Sequence, residues 1–216
     1  MSGVQRKPRP LKRDAEALRD DRLFIVACDD RYAPKQYFNF FRIVRVQVHV
    51  IPTVDGTSSA EHVLDRLQRI EHEEDDELWM LLDTDHYTSG THLKSFTSAL
   101  SSAKKLGINV ALSKPCFELW LLLHHVPESE VVALTAAADV VRVLRDKLGQ
   151  YNKANLKCEN YSLASVSDAC ARAQRLDAAV LGGEIPQGNT SRVYLIWKAI
   201  KAKALPSQLP EALDRL

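Results

Sequence analysis

Short apolar runs alternate with stretches of helical spacing along the first part of the chain. Runs rich in apolar or β-branched residues predict strands at 23–28, 44–51, 78–83 and 108–113. Between and after them, apolar positions recur every three or four residues, which predicts a helix after each strand. This alternation is typical of an α/β fold whose mostly parallel sheet is flanked by helices. The sequence therefore predicts a four-stranded α/β core in residues 22–127.

The segments on either side of this core have a different pattern. Residues 1–21 are polar and basic, with prolines and no acid before Asp14, so they form either a disordered tail or a basic arm that contacts nucleic acid. Residues 128–216 show helical spacing in three long stretches, which predicts a helical extension packed on the core. Within that extension, the segment 150–161 has no clear period.

The composition limits the class of protein without selecting a function. The chain is 45% hydrophobic and 26% charged, as is usual for a globular protein. Its formal net charge of +1 gives no overall field toward DNA, membranes or acidic substrates. There is no signal-peptide pattern, no apolar run of membrane-spanning length, and no C-x-x-C pair among the four cysteines. We expect a cytoplasmic protein with reduced thiols and no membrane partner.

Carboxylates follow two of the predicted strands. Asp29 and Asp30 come after the first strand, and Asp83 and Asp85 end the third. Parallel strands end at one edge of a sheet, where α/β proteins bind ligands, and residues two apart on an extended chain point to one side. Grouped carboxylates repel one another unless a cation neutralises them, and Mg²⁺ prefers such oxygen ligands. The alternative for this D-x-D segment is a turn or a helix cap.

The segment SKPCFELWLLLHH follows the fourth predicted strand and adds further candidates. Ser113 and Lys114 are placed to bind a substrate phosphate, Lys114 as a point charge. Glu118 opens the next helix, where it either ligates a metal or stabilises the helix dipole. Two histidines are weaker candidates for the site: His86 follows the D-x-D segment, and His124 otherwise belongs to a helix end.

Together these residues resemble the RloB-like family of Toprim-related proteins. The most specific likeness is SKPCFELW followed by histidine, and IPQGNTSRVYLIW at 185–197 is similar to the family's Pro-x-x-x-T segment. The likeness spans residues 22–200. It implies a Toprim-like sheet of four parallel strands whose acids bind Mg²⁺, or Mn²⁺, and act on nucleic-acid phosphodiesters. It also implies an ATPase partner and a role in restriction-linked or abortive-infection anti-phage defence.

Position by position, the likeness assigns metal binding to Asp29, Asp83 and Asp85, and a catalytic role to these three and to Glu118. The chain departs from the family after the first strand, where Cys-Glu-Gly-Glu is usual and this chain reads CDDR. Aspartate is one methylene shorter than glutamate, and a residue that replaces glycine resists positive φ. Either Asp30 compensates for this change, or the activity is weakened.

Three functions are open on these grounds. The first is a metal-dependent nuclease, with the three aspartates on the metal and Lys114 on the nucleic-acid backbone. The second is a receiver-like phosphoacceptor, because the pair Asp29 and Asp30, then Asp83, then Ser113 follow the first, third and fourth predicted strands, as in receiver domains. The third is a Toprim-fold module that binds nucleic acid or nucleotides without catalysis.

Overall fold

The computed structural model describes residues 21–54, 56–85, 90–181 and 183–216, so residues 1–20 of the basic segment and His86 lie outside the described residues. The strands are β1 (Arg22–Cys28), β2 (Val46–Ile51), β3 (Glu77–Asp83), β4 (Asn109–Lys114) and β5 (Thr190–Ser191). The α-helices are α1 (Ala33–Asn39), α2 (Ala60–Arg69), α3 (Gly90–Lys105), α4 (Phe117–Leu123), α5 (Ala137–Leu148), α6 (Leu163–Ala179) and α7 (Val193–Lys203). Short 3₁₀ helices occupy Glu128–Glu130, Cys158–Asn160, Pro206–Gln208 and Glu211–Leu213. In the described part of the chain, no helix is long and apolar enough to cross a membrane.

The sheet has five strands in the order β2-β1-β3-β4-β5, which corrects the prediction of four. The pairs β1–β2, β1–β3 and β3–β4 are parallel, as predicted, whereas β5 pairs with β4 in the antiparallel direction. Two residues are too few to show a strand period, so β5 leaves no signal in the sequence. The C-terminal extension therefore contributes an edge strand as well as helices.

Alternating side chains of the central strands enter two hydrophobic clusters, one on each face of the sheet. On one face, α2 and α3 cover Leu23, Ile25, Met80, Leu82 and Leu112. On the other face, α1, α4, α6 and α7 cover Phe24, Val26, Leu81 and Ala111. Burial on both faces explains why β1 and β3 read as continuous apolar runs, since parallel strands between helix layers have no solvent side.

The C-terminal helices share the second of these clusters with the α/β core. Trp197 of α7 is 1% exposed. Its ring centroid lies 5.0 Å from that of Phe41 in an edge-to-face arrangement and 6.0 Å from that of Phe38 in a stacked one. Aromatic pairs in these geometries add to the stabilisation from apolar burial. The residues after α4 therefore complete the core rather than enclosing one of their own.

We predict that Trp197→Ala lowers the free energy of unfolding by about 3–5 kcal/mol, because it leaves a large cavity in the shared cluster. Urea unfolding followed by circular dichroism would measure the change and should give one transition. The control is Leu181→Ala, at a side chain that is 77% exposed, which should change stability by less than about 0.5 kcal/mol. Loss of the C-terminal helices in a separate, earlier transition would contradict a shared core.

Candidate functional site

The carboxyl ends of β1 and β3 lie side by side at the point where the strand order reverses. From β1, the chain moves first to β2 on one side and later to β3 on the other. Ligands of open α/β sheets bind in the crevice that such a reversal creates. Asp29 directly follows β1 and Asp83 ends β3, so the two carboxylates flank this crevice.

A pocket of about 660 Å³ opens at this edge of the sheet. Its lining includes five carboxylates: Asp29, Asp30, Asp83, Asp85 and Glu118. The side chains of Asp30 and Glu118 are almost completely buried, while the other three are partly exposed. The structure thus brings together all the acids that the sequence singled out.

Backbone hydrogen bonds hold the D-x-D segment in place. The N–H groups of Thr84 and Asp85 donate to the carbonyl of Pro115 at 3.3 and 3.2 Å, which fastens the segment to the chain that follows β4. The N–H group of Asp83 donates to Oδ2 of Asp29 at 2.9 Å. These bonds fix the ends of three neighbouring strands relative to one another.

Asp30 has a structural task as well as a place in the pocket. Its Oδ1 accepts hydrogen bonds from the N–H groups of Tyr32 and Ala33 at 2.6 and 3.1 Å, which form a side-chain-to-backbone turn that leads into α1. Among the described residues, Arg45 is the only non-glycine residue with a positive φ, so the turn at Asp30 requires no left-handed conformation. The glycine that the family usually carries there is therefore not needed for this backbone.

Burial and neighbouring carboxylates raise the pKa values of Asp29 and Asp83. Burial raises the pKa of Asp29 to about 7. The hydrogen bond from the N–H group of Asp83 lowers this pKa, whereas the charges of Asp30 and Asp85 raise it further. Burial also raises the pKa of Asp83 well above its ordinary value, with further contributions from Asp29 and Glu118. A bound cation would favour the charged carboxylates and offset this repulsion.

Lys153 places an ammonium group between two of the acids, and the sequence did not predict it. Its Nζ lies 2.6 Å from Oδ2 of Asp30 and 3.6 Å from Oε1 of Glu118. Burial opposes the charge of Lys153, but Glu118 and Asp30 outweigh it and raise its pKa. Oε1 of Glu118 also accepts a hydrogen bond from the hydroxyl of Tyr151 at 2.9 Å. Arg145 of α5 lines the same pocket and adds a second basic side chain.

A loop between α5 and α6, residues 149–161, carries Tyr151 and Lys153 to the pocket. Gly149 ends α5 with φ of 72°, a conformation that glycine adopts without strain. The side-chain amide of Gln36 on α1 then donates to the carbonyl of Lys153 and accepts from the N–H group of Leu156, both at 2.9 Å. The glycine can be recognised in the sequence as a helix stop signal. The two hydrogen bonds of Gln36, called the Gln36 clamp below, join residues that are too far apart in sequence for local patterns to reveal.

The structure does not bring Ser113 and Lys114 to the acidic pocket. Ser113 is fully buried, and its Oγ lies 2.8 Å from Oγ of Ser191 on β5. Nζ of Lys114 donates to the carbonyl of Pro186 at 3.1 Å. Neither residue is among the described residues that line the pocket. The reason is the unforeseen fifth strand, which packs beside both residues.

His124 also lies elsewhere, in the aromatic part of the core. It is 5% exposed, and its ring nitrogens lie 3.1 Å from the hydroxyl of Tyr37 and 2.9 Å from Oγ of Ser165. Burial lowers its pKa well below the ordinary value, and the charges of His125 and Arg172 act in the same direction. His124 is thus a neutral core residue that holds α4 against α1 and α6.

The donors in the pocket suit a hard divalent cation in their chemistry but are not yet gathered around one point. Carboxylate oxygens are the ligands that Mg²⁺ and Mn²⁺ prefer. Within the described ranges, however, no group of three acidic, histidine or cysteine side chains is already arranged to hold a metal ion. The ammonium of Lys153 occupies space between Asp30 and Glu118. Cation binding would therefore require these side chains to rearrange.

Comparison with known proteins gives the family of the chain. The sequence model of the RloB-like protein family matches residues 24–200. The chain therefore belongs to the RloB-like family, which confirms the resemblance seen in its motifs. Searches of the curated proteins and of the solved structures found no match. The matched range includes the five pocket acids and Lys153.

We predict that His124 makes the protein less stable in mild acid. The unfolded chain binds a proton on this histidine below about pH 6.5, whereas burial keeps the histidine neutral in the folded protein. The free energy of unfolding is therefore at its full value above that pH. Below it, the free energy of unfolding falls by up to about 1.4 kcal/mol per pH unit. Urea unfolding at pH 7 and pH 5.5 should show a shallower pH dependence in His124→Gln than in the wild type. The same substitution at the exposed His72 is the control, and equal slopes in wild type and His124→Gln would contradict the prediction.

Proposed function

We propose that the chain is a Mg²⁺- or Mn²⁺-dependent nuclease that hydrolyses phosphodiesters of nucleic acid. The observation that carries the proposal is the convergence of five carboxylates in one pocket at the reversal of strand order. Such a pocket repels a phosphodiester unless cations enter it, and Lys153 and Arg145 balance only part of the charge. A divalent cation together with these two basic side chains would let the pocket hold a phosphate.

The proposed roles follow from the positions of the side chains. Asp29, Asp83 and Asp85 would hold the metal, which when bound supplies a Lewis acid for the phosphoryl oxygen and lowers the pKa of a water molecule. Lys153 and the exposed Arg145 would bind the phosphate oxygens. Two contacts would hold side chains of the pocket in position. Asp30 pairs with Lys153, and the Tyr151 hydroxyl donates a hydrogen bond that orients Glu118.

Family membership supports the wider setting of the proposal. The parallel order β2-β1-β3-β4, with acids after β1 and β3, supports a Toprim-like fold. Membership of the RloB-like family supports a cytoplasmic role in anti-phage defence with an ATPase partner. In that setting, nucleic acid would be the substrate and the partner would control access to it.

A second candidate is a Toprim-fold module that binds nucleic acid or nucleotides without cleaving them. The position of Lys153 favours this candidate, because an internal ammonium already pairs with Asp30 and approaches Glu118. Oδ2 of Asp29 also accepts a hydrogen bond from the N–H group of Asp83, so one of its two carboxylate oxygens is already engaged within the protein. Two observations argue against a receiver-like phosphoacceptor. The hydroxyl of Ser113 is buried against that of Ser191, and β5 is antiparallel to β4.

We predict that the purified protein cleaves nucleic acid with Mg²⁺ or Mn²⁺ and is inactive in EDTA. Asp83→Asn and Asp85→Asn should each lower cleavage at least a hundredfold, because each removes a carboxylate from the pocket. Time courses on labelled single-stranded and duplex DNA and RNA would measure this. The control is Asp168→Asn, an exposed acid on α6 outside the pocket, which should retain wild-type activity.

Two outcomes of that experiment decide between the candidates. Cleavage that persists in both Asp83→Asn and Asp85→Asn would exclude the acidic pocket as the active site. Calorimetric binding of Mn²⁺ and of oligonucleotides, without cleavage of any of the four substrates, would favour the binding module instead.

We predict that Lys153→Met lowers stability in EDTA by about 1–3 kcal/mol, since it leaves the buried carboxylates of Asp30 and Glu118 without their cation. Saturating Mg²⁺ or Mn²⁺ should then stabilise the variant more than the wild type, because the metal no longer competes with the ammonium. Thermal unfolding with and without metal would measure both effects. The control is Lys35→Met, at an exposed lysine outside the pocket. Equal metal-dependent shifts in Lys153→Met and wild type would contradict this competition.

A further inference from the structure

A second, smaller pocket adjoins the acidic one. It has a volume of about 220 Å³ and is lined by nine of the residues between Leu148 and Tyr161, in and beside the loop between α5 and α6. It is called the amide pocket below. Tyr151 and Asn152 line both pockets, so the two cavities meet at this pair of residues. Any ligand group in the amide pocket would therefore lie next to a phosphate in the acidic pocket.

The lining of the amide pocket is rich in side-chain amides. Gln150, Asn152, Asn155 and Asn160 all contribute to it. Each amide offers hydrogen-bond donors and an acceptor side by side, the combination that pairs with the edge of a nucleobase. In the described part of the chain, no protein hydrogen bond engages the side-chain amides of Gln150, Asn155 and Asn160. These groups are free to bind a ligand.

Two tyrosines line the amide pocket, and Tyr151 is the more exposed of the two. The hydroxyl of Tyr151 donates to Glu118, which fixes the ring between the two pockets. Tyr161 is only 4% exposed and stacks on Phe40 with ring centroids 6.1 Å apart. Its hydroxyl is buried and has no hydrogen-bond partner among the described residues, a rare state that a ligand or water would relieve. The partly exposed ring of Tyr151 is therefore the surface beside the amides on which an unpaired base can stack.

We propose that the amide pocket binds one unpaired nucleobase of a polynucleotide, while the phosphodiester next to that base lies in the acidic pocket. The inference rests on the proposed function for its ligand and deepens it by naming single-stranded or locally unpaired nucleic acid as the substrate. A paired base hides its hydrogen-bonding edge and stacking faces inside the duplex, so it cannot enter a pocket of this kind. Lys157, exposed in the lining, binds the phosphate on the far side of the base.

Binding of fluorescently labelled oligonucleotides, followed by anisotropy, tests this inference without relying on cleavage. The probes are a single-stranded oligonucleotide, the same strand with abasic positions, and its duplex, each with Ca²⁺ in place of Mg²⁺ and again in EDTA. The intact single strand should bind about tenfold tighter than the abasic strand or the duplex. Asn155→Ala and Asn160→Ala should each remove most of that preference and leave abasic binding unchanged. Gln68→Ala, at an exposed amide on α2, is the matched control.

Several results would overturn the inference. Equal affinities for intact and abasic strands in the wild type would do so, as would a full preference in both asparagine variants. Displacement of the labelled strand by a nucleoside monophosphate at equal concentration would assign the pocket to a free nucleotide and reject the polynucleotide. The proposed hydrolysis can fail independently of the amide pocket. If the wild type prefers the intact strand, Asn155→Ala loses that preference and the wild type cleaves nothing with Mg²⁺, the amide pocket is supported and only the nuclease is rejected.

Discussion

Repulsion among the carboxylates at the ends of β1 and β3 is the constraint on which the rest of the site depends. The parallel topology forces these acids into one crevice, and burial makes their charge costly. Hydrogen bonds from the protein offset part of this cost for three of the acids. Asp29 accepts from the N–H group of Asp83, and Asp30 accepts from an N–H group at the start of α1. Glu118 accepts from the hydroxyl of Tyr151. The loop, the turn before α1 and the strand ends are therefore parts of a single electrostatic arrangement.

The basic side chains of the site come from a different part of the chain than the acidic ones. The acids belong to the strand ends and to α4, whereas Lys153 and Arg145 belong to α5 and the loop that follows it. Opposite charges thus meet where the C-terminal extension packs against the sheet. Because Trp197 and its neighbours bury the two parts in one cluster, the separation between the charges is set by core packing as well as by the charges themselves.

The sequence predicted the acidic half of the site and missed the basic half for a physical reason. Strand ends in a parallel sheet share an edge whatever the details of packing, so Asp29 and Asp83 could be placed together from hydrophobic period alone. Lys153 lies in a loop without a period, and Gln36 holds it there through contacts that local spacing cannot encode. Ser113 shows the converse. Its place at the end of β4 predicts an exposed side chain, but β5, which is too short to show a pattern in the sequence, packs beside it and covers it.

The clamp formed by Gln36 has a consequence for how such a protein diversifies. One amide fastens the loop to the scaffold, and the loop begins at a glycine and runs into a short 3₁₀ helix. Among the residues that the structure describes, the sheet that presents the carboxylates makes no main-chain hydrogen bond with this loop. Tyr151 and Lys153 lie between these two boundaries, so changes of length or composition there would move the groups that contact Glu118 and Asp30 and would leave the strand ends in place. Variation in this loop would thus retune the charge balance of the pocket without any change in the sheet that carries Asp29 and Asp83.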